Sequence, residues 1–172
     1  MPHHQSTAAH RSRGRRNLAV MGAGVAACAT VGSLLTDASS SWYERLKKPS
    51  WQPPSAAFPI VWTSLYAIVA VSAATAVTRL EAQGRDAEAS SFRRALAANL
   101  VLNAGWSGLF FRAHNLSVAT AGAVALAASS AKLARRASSV SSGAALGLGA
   151  YTVWCAFATV LSAKLAALNP DE

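Results

Sequence analysis

Five stretches of the chain carry no charged side chain: residues 17–36, 49–78, 95–111, 113–131 and 137–163. A bilayer core needs about 20 predominantly apolar residues in helical form, range about 17–25. Each stretch reaches that range. A surface helix of a soluble bundle needs a polar face with charges every turn or so. Here the polar residues inside the stretches are mostly Ser, Thr and Asn, so a soluble Ala-rich bundle is the weaker reading. The pattern predicts an all-α integral membrane protein, a bundle of five transmembrane helices at approximately 17–36, 58–78, 95–111, 114–132 and 143–166.

The segments between these stretches differ in kind. Residues 1–16 are polar and carry Arg11, Arg13, Arg15 and Arg16. They read as a disordered tail ahead of a membrane domain over 17–170. A basic tail before an apolar run also suggests a signal peptide, with a faint twin-arginine pair at Arg15 and Arg16. The run is longer than the usual h-region of about 7–15 residues, so it is read as a span that stays. The connection at about 79–94 mixes charges of both signs and predicts a solvated helical linker. Residues 37–57 hold Trp42, Tyr43 and Trp51 among Pro49, Pro53 and Pro54. Proline fixes φ and restrains the residue before it, so this loop predicts a stiff, folded lid.

Lys and Arg accumulate in cytoplasmic loops of membrane proteins. The tail, Arg79, Arg85, Arg93, Arg94, Lys132, Arg135 and Arg136 fall on one side of the predicted bundle. Arg45, Lys47, Lys48, Arg112 and Lys164 fall on the other. The excess on the first side predicts a cytoplasmic N-terminus and an outward-facing lid, and the Ala-rich pattern suits a bacterial inner membrane.

Hydrophobic residues make up 52% of the chain and charged residues 13%, against about a quarter charged in soluble domains. Ala, Gly and Ser dominate the spans, and small residues let membrane helices approach closely. The small-residue face at 97–105 permits a homodimer. The net charge of +9 does not indicate nucleic-acid binding, because the basic residues punctuate the spans instead of lining one face. Cys28 and Cys155 lie inside the first and last stretches, as small buried hydrophobes do. His3, His4, His10 and His114 have no metal-ligand spacing. No cofactor is expected. Paired carboxylates, a nucleophile beside a histidine and a phosphate-cradling glycine loop are all missing from the pattern.

Tryptophan in a membrane protein usually sits in the interfacial belt, and Trp42 and Trp51 fit that habit. Trp62, Trp106 and Trp154 lie deeper, about 6–15 Å inside their spans at 1.5 Å per residue, all in the half beneath the lid. Helical spacing gives shared faces: Trp62 with Tyr66; Asn103, Trp106 and Phe110; Tyr151, Trp154 and Ala158. Periodicity alone leaves two readings open, stripes that face each other across a pocket or stripes that face lipid and ordinary core. Asn103 is a deep polar side chain that must bond within the protein, as helix–helix glue or as a ligand contact.

The order of motifs is more specific. Trp42-Tyr43-Glu44-Arg45-Leu46-Lys47-Lys48-Pro49-Ser50-Trp51-Gln52-Pro53-Pro54 is followed by Phe58-Pro59, Trp62, Leu65 and Tyr66. Then come Leu102-Asn103, Trp106-Ser107 and Phe110-Phe111, and finally Tyr151, Trp154, Phe157-Ala158-Thr159, Leu161 and Leu168-Asn169-Pro170. From about residue 17 to 170 this resembles the TspO / translocator-protein family of tryptophan-rich membrane proteins. The resemblance implies a binding site for porphyrins and similar flat apolar ligands, made by Trp42, Trp51, Pro53, Pro54, Trp62, Tyr66, Asn103, Trp106, Phe110, Tyr151, Trp154, Phe157, Ala158 and Leu161. It also implies a light- and oxygen-dependent porphyrin breakdown through Trp62 and Trp154, which should then lie close together. Arg45, Lys47 and Lys48 would meet porphyrin propionates or serve only as topogenic charge. Animal members are associated with cholesterol through a Tyr-containing segment late in the fifth helix. Here Leu161 is followed by Ser162-Ala163-Lys164, so cholesterol is disfavoured. A porphyrin or metabolite transporter and a ligand-free regulatory partner are the alternative functions. A transporter would be favoured by broken helices and intramembrane charges, and the pattern contains neither.

Overall fold

The computed structural model describes the backbone of residues 3–172 and the side chains of residues 11–172. Six helices and no strand occur among the described residues: α1 (His3–Leu35), α2 (Ser41–Arg45), α3 (Ala57–Ala82), α4 (Asp86–Phe111), α5 (Leu116–Ser138) and α6 (Ser142–Leu168). Residues Arg11–Leu35 of α1, and all of α3, α5 and α6, are long and apolar enough to cross a membrane. The sequence predicts five spans, and among the described residues four helices meet the length and hydropathy that a span needs. The remaining long helix, α4, matches α3 at 26 residues. It opens with Asp86, Glu88, Arg93 and Arg94 and places Asn99 and Asn103 within its apolar part.

The five long helices close into a ring. α1 packs on α3 and α4, α3 on α6, α6 on α5 and α5 on α4, and α3 also touches α4 across the ring. Outward-facing positions are apolar: Val101, Leu146 and Val153 are 72%, 76% and 71% exposed. A water-facing surface would be expected to carry charges there, whereas lipid accepts such side chains without cost. The helices approach closely where small residues meet. Ala73 and Ala76 are fully buried, and a Cβ on Gly147 of α6 would collide with Ser72 Oγ on α3.

The ends of the helices correct the boundaries read from charge. The tail expected to be disordered through Arg16 is already helical over residues 11–16, as part of α1. Arg13 and Arg16 reach Glu81 at the end of α3, where Arg93 also pairs with the same carboxylate and Asn17 Nδ2 donates to it at 2.8 Å. Those pairs tie the first turns of α1 to the bundle. The expected helical linker at 79–94 resolves into the last turn of α3, a tight reversal and the first two turns of α4. Gly84 makes the reversal with φ of 71°. The Arg85 amide returns to the Leu80 carbonyl at 2.9 Å and the Gly84 amide to that of Glu81 at 3.1 Å, the pairing that ends helices on a left-handed glycine. Asn115 and Ser141 start α5 and α6 by accepting from the amides of Val118 and Ala144.

The buried side chains form two clusters. One fills the bundle, around Val69, Val77, Phe92, Leu133, Leu148 and Tyr151. The other joins the lid to the tops of α4, α5 and α6 through Trp42, Tyr43, Leu46, Phe110, Leu116, Leu161 and Leu165. The lid is thus folded, as the prolines and aromatics predict. Its short helix α2 is capped by Ser40, and Lys48 Nζ donates to the carbonyls of Tyr43, Glu44 and Leu46 at its other end. Trp42 stacks on His114 at 4.2 Å, and its indole donates to Glu172 Oε2 at 2.6 Å. Asn169 holds the lid by two reciprocal bonds to the Lys47 backbone, at 2.9 and 3.0 Å. Gln52 Nε2 donates to the Tyr43 hydroxyl at 3.2 Å. Burial pushes the Tyr43 phenol above its ordinary range despite that bond.

Candidate ligand cavity

A cavity of about 1050 Å³ opens beneath the lid, between α1, α3, α4 and α6. Ligand pockets commonly span about 300–1,000 Å³, so it suits a large ligand. Each helix contributes one face. On α3, Phe58, Trp62 and Tyr66 follow i, i+4, i+8. On α6, Trp154, Ala158, Leu161, Ser162 and Leu165 form one stripe. On α4 the contributors are Asn103, Trp106, Ser107, Phe110 and Phe111.

The aromatic rings divide into two walls. Trp62 stands 6.4 Å from Trp154 at 85°, and 5.6 Å from Tyr66 at 32°. Phe58 meets Trp154 edge-on at 6.1 Å. Across the cavity, Trp106 lies 5.3 Å from Phe110, which lies 4.8 Å from Phe111. Offset and edge-to-face geometries of this kind are favoured by ring quadrupoles. The indole N–H groups of Trp106 and Trp154 are buried without an acceptor among the described residues.

The floor is polar and internally satisfied. Tyr66 Oη donates to Asn103 Oδ1 at 2.8 Å, Asn103 Nδ2 to Tyr151 Oη at 3.0 Å, and Tyr151 Oη to Asn99 Oδ1 at 3.0 Å. Asn99 Nδ2 then donates to Ser130 Oγ at 3.0 Å, whose hydroxyl bonds the Leu126 carbonyl at 2.8 Å. This directed chain ties α3, α4, α5 and α6 together. Such chains specify packing because any unpaired member would be costly in a low dielectric. Asn103 is therefore helix–helix glue that also reaches the cavity surface.

Of the residues singled out from sequence, the structure brings Trp62, Tyr66, Asn103, Trp106, Phe110, Trp154, Ala158 and Leu161 to the cavity wall. Trp62 and Trp154 are close together, as expected. The other six are not on that wall. Tyr151 is buried directly behind Asn103. Phe157 backs Trp154 at 5.1 Å, and half-exposed Trp51 packs on Phe157 at 6.0 Å. Trp42 is buried against His114 and Phe110. Pro53 and Pro54 lie in the lid segment that leads into α3. The wall also uses residues with weak sequence signals. α1 contributes Ala29, Thr30, Gly32 and Ser33, and the lid contributes Asp37, Tyr43 and Glu44. Gly32 is buried on this wall, with Ser107 Oγ and Tyr66 Oη at ordinary contact distance, 3.8 Å, from where a Cβ would stand. Asn99 was missed in the sequence, where Asn103 stood as the one strongly polar side chain deep in this helix; its signal is the i, i−4 spacing that puts a second amide one turn from Asn103 on the same face. Arg45, Lys47 and Lys48 do not line the cavity.

Comparison with known proteins agrees with this architecture. The TspO/MBR family model matches residues 20–168. The uncharacterized membrane protein YtaB of Bacillus subtilis is 35% identical over 128 residues, covering 74% of this chain and 80% of that protein. The tryptophan-rich protein TspO of Bacillus cereus is 30% identical over 139 residues, 81% of this chain and 88% of the relative. The translocator protein of Ovis aries is 32% identical over 124 residues, 72% of each chain. The match spans the lid and every helix that lines the cavity, so this chain belongs to the TspO/MBR family of multi-pass integral membrane proteins.

Proposed function

We propose that the protein is a membrane-embedded binding protein, acting as a sensor, for porphyrins and similar flat apolar ligands held in the cavity under the lid. The observation that carries this reading is the pair of aromatic walls flanking a space of about 1050 Å³. A flat ring system stacks on indole and phenyl faces and gains from excluding water there. Titrating detergent-purified protein with protoporphyrin IX should quench tryptophan fluorescence saturably, at one ligand per chain. Linear, non-saturating quenching would overturn the reading.

A tryptophan-dependent photo-oxidative breakdown belongs to the same proposal. Trp62 and Trp154 would lie against a bound photosensitiser, and indole is readily oxidised by the oxygen species that an illuminated porphyrin produces. We also read α4 as a fifth span. Its polar residues support this, because Asn99 and Asn103 are buried against Ser130, Tyr66 and Tyr151 and away from lipid. The arginine-rich end of the bundle would then face the cytoplasm, in a bacterial inner membrane. A homodimer would pack on the exposed α4 face at Ala97, Val101 and Gly105.

A further inference from the structure

We propose that the arginine-rich end of the bundle, opposite the lid, holds an anionic phospholipid. Its phosphate would sit on Arg13, Arg16 and Arg93, where α1, α3 and α4 meet, with its acyl chains along α1. Glu81 ends α3 as a buried carboxylate, its side chain 8% exposed. Asn17 Nδ2 donates to it at 2.8 Å and to Thr78 Oγ1 at 3.0 Å, and both Asn17 and Thr78 are buried. Three guanidinium groups converge on this one carboxylate: Arg93, Arg16 at 3.4 Å and Arg13 at 4.0 Å. Arg93 also donates to Asn17 Oδ1 at 3.4 Å.

One negative charge thus faces three positive ones, and the excess lies on the outside. The Arg13 and Arg16 side chains, on one face of α1 by their i, i+3 spacing, are 41% and 66% exposed above a carboxylate sealed beneath them. The other carboxylates at this end are Asp86 and Glu88. Glu88 is engaged by Arg85, and Asp86 stands roughly 10 Å before Arg93 along α4 at 1.5 Å per residue. Arg11, Arg15 and Arg94 add charge of the same sign. A charge that only orients a chain in the membrane needs no fixed partner. Here a buried acid gathers three guanidinium forks at one helix junction. Such forks pair with phosphate oxygens two bonds at a time, and basic pockets between transmembrane helices bind acidic headgroups. Just past Arg16 on α1, Leu18 and Val20 are 45% and 54% exposed, an apolar surface that acyl chains would cover and a free anion would not use.

The test titrates the full chain, in a nonionic detergent, with dioleoylphosphatidylglycerol or dioleoylphosphatidylcholine, and counts bound lipid per chain by native mass spectrometry. The two lipids share their tails and differ in net charge. The anionic lipid should bind more tightly, at one per chain, and excess inorganic phosphate should not displace it. In the R13Q/R16Q variant this preference should fall by about tenfold or more, since each basic residue beside an anionic headgroup contributes about fivefold. The K132Q/R135Q variant removes the same charge from exposed positions on α5, which does not adjoin α1 in the ring, and should keep the preference. Helical content is recorded for each protein. Arg16→Gln alone, at the most exposed of the three arginines, should lose about fivefold and serves if the double variant does not fold. Equal loss in the two double variants would reduce the attraction to diffuse surface charge and overturn the site, as would equal binding of the two lipids by the wild type. Displacement by inorganic phosphate would assign the site to a free anion and overturn the lipid.

Discussion

At the scale of single residues, the cavity combines ring faces that a ligand can stack on with a floor already bonded to itself. That division separates binding from chemistry. Trp154→Phe keeps a flat apolar ring, so porphyrin affinity should fall only modestly. An aromatic contact contributes about 0.5–1.5 kcal/mol beyond burial, and Phe retains part of it. Phenyl resists oxidation far better than indole, so light-driven loss of porphyrin absorbance should slow much more than affinity drops. Trp62→Phe should behave alike, given the 6.4 Å between the two rings. Unchanged decay in both variants, measured with every protein saturated, would leave the tryptophans as walls alone. The aromatics of this site were legible through the order of their motifs and the family resemblance those carry, since helical spacing alone left pocket-facing and lipid-facing stripes both open. Gly32 and Ser33 were not, since small residues read only as packing. Trp51 shows the reverse. It belongs to the most specific motif, yet it packs on the outer side of Phe157, which no spacing reveals.

At the scale of elements, the lid is fastened from the far end of the chain. Asn169 pairs with both backbone groups of Lys47, and Glu172 accepts from Trp42. These bonds hold a loop whose prolines have already removed much of its freedom, which lowers the entropy lost on binding. Asn169→Ala should therefore speed ligand release in stopped-flow displacement several-fold. Each lost hydrogen bond is worth about 0.5–1.5 kcal/mol net. Thermal stability without ligand should change little, because the bundle core lies below the lid. Release as slow as in wild type would show that Trp42 and Tyr43 seat the lid unaided. The existence of five long helices followed from the charge-free stretches, but their ends did not. A helix leaving the bilayer needs no apolar residues, so α4 begins at Asp86 where charge alone suggested residue 95. α1 reaches back past Asn17 because Glu81 offers its arginines a partner.

At the scale of the molecule, the lid and the arginine-rich turns occupy opposite ends of one bundle, which makes orientation measurable. A cysteine placed at Ser50 should react with an impermeant maleimide added from outside, and one placed at Gly84 should not. The native Cys28 and Cys155 are 6% and 1% exposed, so background labelling should be low. The opposite pattern would contradict the assignment of the cytoplasmic side from Lys and Arg. The central claim is that a flat ligand occupies the space between the aromatic walls, and one substitution addresses it directly. Ala158 lies on the cavity stripe of α6, one turn beyond Trp154, so a phenyl ring there would fill the space in which a macrocycle must sit. Porphyrin titration of Ala158→Phe, beside wild type and with helical content and melting temperature recorded for both, should show saturable quenching lost while the fold is retained. Wild-type affinity in a folded Ala158→Phe protein would place the ligand elsewhere and contradict the account.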